Sequence, residues 1–431
     1  MKKGLRTAAA MILIAVMLCG TTGCAKSGNG DDSIIKAKAA DLMKGVTSGE
    51  VTVDAAPSDF GAAVNDFSLR LFRESNKAAK DGENTLVSPL SVLLALSMTA
   101  NGAQAETLTQ MEAVLGMPVD KLNEFAYSYM HSLPKDRKFY GALSIADSIW
   151  FKADPDFTAD GDFLQTNADY YDAQIYSAPF DGKTLKDINN WVKDKTDGMI
   201  PTILDSIPES AIMYLINAMA FDAEWRDIYK DYQVQDAIFT TASGEDKRLP
   251  FMYSEVRSYL EDDGAVGFIR YYKGSRYAFA ALLPNEGTTP AEYIETLTGE
   301  HLSDMLANAQ NCKVATALPK FKTEYTVEMS GILKEMGMQQ AFDMMNADFG
   351  KMGTVPPDRN ISIGRVLHKT FIEVNEKGTR AGAATVVEML DGTAAMPEER
   401  KEVYLSRPFV YMLIDCEAGI PFFIGVMNDP Q

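Results

Sequence analysis

The chain has 431 residues, of which 46% are hydrophobic and 23% charged. This composition is typical of a soluble globular protein and excludes a largely disordered chain or a polytopic membrane protein. The 60 acidic residues outnumber the 41 basic ones, and the formal net charge of −19 disfavours binding to nucleic-acid phosphates. Four cysteines are too few for a disulfide scaffold, and three histidines leave little material for a histidine-rich metal site.

The N-terminus has the pattern of a targeting segment. Basic residues near the start precede an apolar run over 8–18 that is short for a membrane span. Small residues then lead to Cys24. The whole pattern is similar to the bacterial lipoprotein signal, in which the chain is cut before a cysteine that becomes lipidated. We therefore predict a signal peptide over 1–23 and a lipid anchor at Cys24. Thr21 replaces the bulky apolar residue usual in that signal, so an ordinary signal peptide is the alternative.

Residues 24–55 are predicted to connect this anchor to the folded domain. The stretch 25–32 reads AKSGNGDD, and such small and polar residues are typical of a flexible tether. This organisation predicts a protein outside the cytoplasm, held on a bacterial membrane or cell surface through Cys24, or released as a secreted form. Cys312 and Cys416 could pair there, although two cysteines more often remain as small buried residues.

Two helices are predicted early in the chain. Apolar residues recur at intervals of three and four over 60–73, which indicates an amphipathic helix. A denser apolar helix is expected over 91–100, and Asn101 and Gly102 are a plausible stop.

Strands dominate the end of the chain. One is expected over 366–375, and a hairpin is expected from 409–414 and 420–427 with a turn between them. Because helices cluster early and strands late, without a second linker past the tether, we predict one large α+β domain over 56–431.

The sequence contains none of the common catalytic motifs. A Gly-x-Ser-x-Gly elbow, a P-loop, a His-Glu-x-x-His helix and a Cys-x-x-Cys pair are all missing. His131 and His301 lie in polar contexts, whereas His368 shares the apolar face of its strand with Val366 and Ile372. A core histidine satisfied by hydrogen bonds is the simplest interpretation. We predict no enzymatic activity, no cofactor and no metal site.

The most informative segment is the long connection over 376–408. A connection of this length inside a compact domain is usually functional or disordered. Odd-numbered positions over 379–389 carry no charge, whereas the two charged residues, Arg380 and Glu388, both occupy even-numbered positions. A strand built here would have one uncharged face and one face suited to solvent, with no proline to interrupt its backbone pairing. The segment is therefore predicted to be a latent strand, with a small-residue linker as the alternative.

Short motifs follow one another from about Phe60 to Pro430. They are 84–91 (NTLVSPLS), 101–103 (NGA) through 115–116 (LG), 215–218 (LINA) with Phe221 and Trp225, 318–321 (LPKF), 368–369 (HK) leading to 373–379 (EVNEKGT), 407–409 (RPF), Gly425 and 428–430 (NDP). In number, order and spacing these motifs resemble the serpin family.

The resemblance implies a serpin fold, with a central mostly antiparallel sheet, smaller sheets, helices concentrated towards the N-terminus and an exposed reactive-centre loop. Inhibitory serpins offer this loop to a serine or cysteine protease, which forms its acyl-enzyme. The cut loop then inserts into the central sheet as a new strand and distorts the protease before water can release it. This is a switch driven by stored strain. The implied partner is a protease in covalent complex with a monomeric inhibitor.

The resemblance also assigns the hinge of the loop, whose residues are mostly small and uncharged. They are Glu376, Gly378, Thr379, Arg380, Ala381, Gly382, Ala383 and Ala384. Arg380 stands where many inhibitory members carry an acidic residue. Its even-numbered position would point its side chain to the outer face of an inserted strand, so we expect only a small energetic cost to insertion. Gly382 replaces the more usual alanine and lowers strand preference by up to about 1 kcal/mol.

Four polar residues match the cluster that serpins bury beneath the opening strands, called the shutter. They are Ser88, Ser91, Asn217 and His368. Buried polar groups there must be mutually hydrogen-bonded, yet their bonds can rearrange as the strands part. This assigns partners to His368, with a lone core histidine as the alternative.

Counting from the hinge glutamate as in inhibitory serpins places the reactive bond between Gly392 and Thr393. Met389 and Asp391 are alternatives if the register differs. The small residues nearby suit elastase-like or subtilisin-like proteases and offer nothing to a trypsin-like acidic pocket.

Two other functions stay open. A non-inhibitory serpin, used as a binding or substrate protein, would be cleaved without a covalent complex. A lipid-anchored hydrolase or solute-binding protein would need a polar catalytic or ligand set that the sequence does not reveal.

Overall fold

The computed structural model describes residues 39–208, 211–356, 359–380 and 400–430. Its α-helices are α1 Gly61–Ala78, α2 Pro89–Ala100, α3 Ala105–Leu115, α4 Val119–Ser132, α5 Arg137–Tyr140, α6 Gly161–Tyr171, α7 Gly182–Lys195, α8 Pro290–Thr296, α9 Gly299–Ala307 and α10 Ser330–Glu335. Short 3-10 helices cover Pro57–Phe60, Asp231–Gln233 and Gln340–Phe342. Most of the described helices therefore precede residue 196, as expected.

Strands are distributed more widely than the sequence suggests. They are β1 Ala40–Asp41, β2 Thr85–Val87, β3 Ala142–Lys152, β4 Thr158–Ala159, β5 Gln174–Ala178, β6 Met213–Glu224, β7 Val234–Thr240, β8 Asp246–Glu261, β9 Ala265–Tyr271, β10 Tyr277–Pro284, β11 Gln310–Pro319, β12 Phe321–Glu328, β13 Gly353–Thr354, β14 Arg365–Val374, β15 Gly378–Thr379, β16 Arg400–Tyr404, β17 Phe409–Asp415 and β18 Ile420–Met427.

The elements predicted from periodicity are confirmed, with small differences at their ends. Helix α1 continues to Ala78, beyond the predicted end at residue 73. Helix α2 begins at Pro89, because a proline in the first turn has a preset φ and needs no hydrogen-bond donor there. Strand β14 and the hairpin of β17 and β18 match the predicted positions within one residue.

The central sheet has seven strands in the order β1-β5-β3-β6-β15-β14-β12. Most neighbours are antiparallel, and the parallel pairs are β3 with β5 and β6 with β14. The inner face, with Leu215 and Met219 of β6, packs into the main hydrophobic core together with α2. The outer face, with Ile216, packs against Ile188 and Val192 of α7. Alternation along β6 thus directs its side chains to two separate cores.

Beside the central sheet, the described residues form a small sheet of β4 and β13 and a sheet of nine strands. The nine-stranded sheet has the order β16-β11-β8-β9-β10-β17-β18-β2, and β7 pairs with β8 beside this path. The long strand β8 connects its parts, because it pairs with β7 over 246–252, with β11 over 251–259 and with β9 over 258–261.

The start of the domain differs from the predicted boundary at residue 56. Ala40 of β1 pairs with Ser177 of β5, and Ser128 donates a hydrogen bond of 2.7 Å to the carbonyl of Ala55. These contacts attach residues 39–55 to the domain, so a free tether cannot extend over the whole of 24–55. The predicted signal peptide over 1–23 and Cys24 lie outside the described residues. Among the described helices, none has both the length and the apolar character required to cross a membrane.

Candidate functional site

Two strands in the middle of the central sheet, β6 and β14, pair directly over only part of their length. Their parallel register joins 214–218 to 365–369, a region we call the joint. Further along, β15 lies between the two strands and is antiparallel to both, with Thr379 opposite Ala223 and Val374. No backbone pairing connects the described residues 219–222 with 370–373. The sheet is therefore open between the joint and the first residues of the hinge.

Thr379 is the inward residue of the hinge that the structure places in the sheet. Its side chain is 1% exposed, and its hydroxyl lies 2.5 Å from that of Tyr272. Tyr272 stacks on Trp225 at a centroid distance of 4.4 Å, and the indole of Trp225 donates to the carbonyl of Asn375 at 2.8 Å. An aromatic pocket thus holds both the entry to the hinge and its first inward side chain.

Gly378 has to be glycine because the backbone of β6 is very close. A Cβ atom added there would lie 2.0 Å from the carbonyl oxygen of Ala223, a distance that no real side chain shows. Any other residue would push β15 away from β6.

Glu376 precedes the inserted residues and forms an ion pair with Lys320, whose Nζ lies 2.7 Å from the carboxylate. The hydrogen bond from Lys320 lowers the pKa of Glu376. Both side chains are about one-third exposed, so the pair contributes only about 0–1 kcal/mol to stability. Its position between β14 and the start of β12 orients the chain before it enters the sheet.

Arg380 is the last of the predicted hinge residues that the structure describes. It is partly buried at the point where the chain leaves the sheet. The other predicted hinge and reactive-bond positions lie outside the described residues: Ala381, Gly382, Ala383, Ala384, Met389, Asp391, Gly392 and Thr393.

Three of the four predicted shutter residues form a buried hydrogen-bonded chain. The backbone N–H of Ser88 donates to Nε2 of His368 at 3.0 Å, so Nδ1 carries the ring proton and donates to Oδ1 of Asn217 at 2.7 Å. Burial lowers the pKa of His368 to about 3, which keeps the ring neutral. Asn217 and His368 are also Cα partners across the joint. The hydrogen bond between their side chains therefore links β6 to β14 where the open part of the sheet ends.

Ser91, the fourth predicted member, does not join this chain. Its hydroxyl is buried and has no hydrogen-bond partner among the described residues. Ser88 itself participates through its backbone, whereas its hydroxyl lies 3.0 Å from the sulfur of Met219.

Asp147 extends the chain and was not anticipated from the sequence. Asn217 donates a hydrogen bond of 2.6 Å to Oδ1 of Asp147, which lies on β3. Burial raises the pKa of this carboxyl to about 8, against the lowering effect of the hydrogen bond. The side chain also lines a cavity of about 60 Å³ beside Leu94 and Met98. A single acidic residue inside the otherwise uncharged and mostly apolar stretch 145–151 (IADSIWF) was the available signal.

The described residues contain no cluster of histidine, cysteine or acidic side chains arranged to hold a metal ion. Within the same part of the chain, no disulfide joins Cys312 to Cys416.

A central sheet that is open beyond the joint, with Gly378 and Thr379 seated between β6 and β14, is the arrangement that the resemblance to serpins implies. The family model described as "Serpin (serine protease inhibitor)" matches residues 62–430, and the chain belongs to this family. Serpins are generally inhibitors of proteases rather than catalysts.

Relatives and solved structures agree with this assignment. The leukocyte elastase inhibitor of Equus caballus is 29% identical over 383 residues, covering 84% of this chain and 97% of that protein. An uncharacterized serpin-like protein of Thermococcus kodakarensis is 28% identical over 377 residues, covering 86% of this chain and 85% of that protein.

The crystal structure of the thermophilic serpin tengpin in its native state is 45% identical, with a TM-score of 0.85, and covers 91% of this chain and 100% of its own. Tengpin in its latent state gives a TM-score of 0.75 at 44% identity, with 89% and 100% covered. The present structure is thus more similar to the native state than to the latent one.

Proposed function

We propose that this protein inhibits a serine or cysteine protease as a suicide substrate. The observation that carries the proposal is the placement of Gly378 and Thr379 as a short strand between β6 and β14, at the end of an open stretch of sheet. The protease cuts the exposed loop, and the upstream part continues this strand into the opening. The acyl-enzyme is carried along and distorted before hydrolysis releases it.

The register of β15 predicts which contacts insertion makes and breaks. Six residues beyond Thr379, the antiparallel ladders would bring Thr385 opposite both Asn217 and His368. These two residues now hydrogen-bond to each other across the joint, so their bond must open as the strand advances. The hydroxyl of Thr385 can both donate and accept, and it could satisfy the separated partners.

The uncharged side chains at odd-numbered positions of the loop suit the inner face of the sheet. Thr379 already points there and is buried. Residues 381, 383, 385, 387 and 389 would follow it inward without any charge to desolvate. Insertion also fills backbone hydrogen bonds on both sides of a new central strand, which supplies the driving force.

The reactive bond is proposed between Gly392 and Thr393, with elastase-like or subtilisin-like enzymes as targets. The support is the run of small residues around this position, which suits a shallow specificity pocket. The similarity to a protein named leukocyte elastase inhibitor is in keeping with such a target.

We also propose that the mature protein is a monomer outside the cytoplasm, anchored through lipid on Cys24. The support for the location and the anchor comes from the sequence alone, in which a basic start and a short apolar run precede the cysteine. The monomeric state is what the resemblance to serpins implies. Residues 25–38 would then separate the lipid from the domain.

The deciding experiment incubates the mature protein with elastase-like, subtilisin-like, trypsin-like and papain-like proteases and separates the products on denaturing gels. We expect a band of the summed mass with at least one small-pocket protease. A matched sample with the protease nucleophile blocked should give no such band. Cleavage in the loop without any covalent complex would instead assign a non-inhibitory role.

A further inference from the structure

Arg380 leaves the central sheet with a backbone conformation that is unfavourable for a residue with a side chain. Its φ is +48°, in the left-handed region. Its N–H nevertheless still donates to the carbonyl of Glu373 at 2.9 Å. The backbone pairing with β14 therefore already includes Arg380. The chain turns away from the sheet at this residue.

The register of β15 decides which side chains flank Arg380 when it becomes extended. Strand β15 pairs antiparallel with β6 at Ala223 and with β14 at Val374. In each ladder the next position opposes Arg380, with Asp222 on one side and Glu373 on the other. Alternation along the strands places all three side chains on the outer face of the sheet.

The surroundings of Asp222 are acidic. Asp222 is half-buried, and burial raises the pKa of its carboxyl, whereas the guanidinium of Arg380 lowers it. The neighbouring carboxylates of Glu224 and Asp197 raise it further. Glu224 has its own cation, Lys273, at 3.7 Å. Asp197 likewise has a cation, Arg137, at 3.9 Å. Among the charges that act on the pKa of Asp222, that of Arg380 is the one that lowers it.

The guanidinium of Arg380 includes one buried donor, Nη1, that pairs with none of the described residues. The group lies 6.0 Å from the ring centroid of Phe371, on the outer face. A buried donor without a partner is unfavourable, so movement towards two carboxylates would be a gain.

We propose that Asp222 and Glu373 form an acidic seat that positions Arg380 and thereby guides the hinge into the sheet. As the backbone of Arg380 becomes extended, its guanidinium enters the space between the two carboxylates. The seat fixes the register of the entering strand, because a shift by one residue would turn Arg380 towards the apolar inner face. The inference rests on the proposed function and assigns positioning residues to it.

The first test measures hydrogen–deuterium exchange over 376–380 in the intact mature protein. Arg380→Glu and Asp222→Lys should each raise exchange about three- to tenfold, because each variant places like charges side by side. The double variant restores opposite charges at these two positions and should return exchange to within about twofold of wild type. Asp236→Lys, which makes the same charge change at an exposed position on β7, should have no effect.

The second test measures the ratio of inhibitor consumed to protease trapped for the same variants. Both single variants should raise this ratio, and the double variant should lower it again. If the wild-type protein traps no protease but the double variant still restores slow hydrogen–deuterium exchange, the proposed function is wrong and the acidic seat is supported. If the single effects simply add and the double variant shows no rescue, the seat is refuted, whatever wild type inhibits.

Discussion

The amide of Asn217 donates to the carboxyl of Asp147 while its oxygen accepts from His368, so one side chain links three strands of the central sheet. β3 carries Asp147, β6 carries Asn217 and β14 carries His368. The proposed insertion of a new strand between β6 and β14 would separate the last two. The remaining bond to Asp147 would then hold Asn217 on the β3 side of the opening.

This arrangement makes stability depend on pH in a defined direction. The pKa of Asp147 is raised to about 8 in the folded protein from an ordinary value of 3.8. A raised pKa favours folding at low pH, and this contribution is lost as pH rises through the interval between these values. The lowered pKa of His368, about 3, acts oppositely, because its contribution is lost as pH falls from 6.5 towards 3.

Asp147→Asn should therefore gain stability relative to wild type as pH rises from about 4 to 8, reaching about 1–3 kcal/mol. Asparagine keeps the acceptor for Asn217 but cannot ionise. The measurement is urea-induced unfolding of both proteins at pH 5 and pH 9, with the exposed Asp236→Asn as a control. A difference between Asp147→Asn and wild type that does not change with pH would contradict the assignment of a buried titrating carboxyl.

Thr379→Arg should convert an inhibitor into a substrate. The position is buried beside Tyr272, and an inward guanidinium would have to be desolvated before the strand could start to insert. We expect the ratio of inhibitor consumed per protease trapped to rise by about tenfold or more, since desolvation costs several kcal/mol. Thr379→Val, which keeps the shape and loses only the hydroxyl, should change the ratio little. An unaltered ratio in the arginine variant would be incompatible with strand insertion.

Cutting the chain between Met389 and Met396 should make the protein harder to melt. The freed upstream segment can insert over about twelve residues, or about 40 Å of strand at roughly 3.3 Å per residue. Most nicks lower stability because they free chain ends, so a rise in Tm of more than about 10 °C would indicate that the segment has entered the sheet. The measurement is thermal unfolding before and after limited proteolysis by a non-target enzyme, with the cut placed by mass spectrometry. A nicked form that melts at or below the intact protein would rule out insertion.

Cys24→Ser should move the protein from the membrane fraction to the soluble fraction. Lipid on that sulfur is the proposed hydrophobic anchor of the mature chain. The measurement is fractionation of cells expressing wild type and variant, with Cys312→Ser as the control for loss of a cysteine. If Cys24→Ser stays with the membrane, the anchor lies elsewhere.

Much of the fold could be predicted because the signals are local. Helices α1 and α2, strand β14 and the final hairpin each follow from apolar spacing within a short stretch of chain. The inward position of Thr379 also follows from parity, since strand side chains alternate. The outward position of Arg380 was anticipated as well, but its buried, unpartnered nitrogen was not, because that depends on the neighbouring strands.

The sequence by itself therefore determined the family and the secondary structure near each motif, both of which depend on residues close together in the chain. The tertiary structure alone decided that Asp147 completes the polar chain, that Tyr272 contacts the hinge and that residues 39–55 pack on the domain. Each of these contacts joins residues that are far apart in sequence. Such partners are chosen by strand order and register, which spacing along one chain does not reveal.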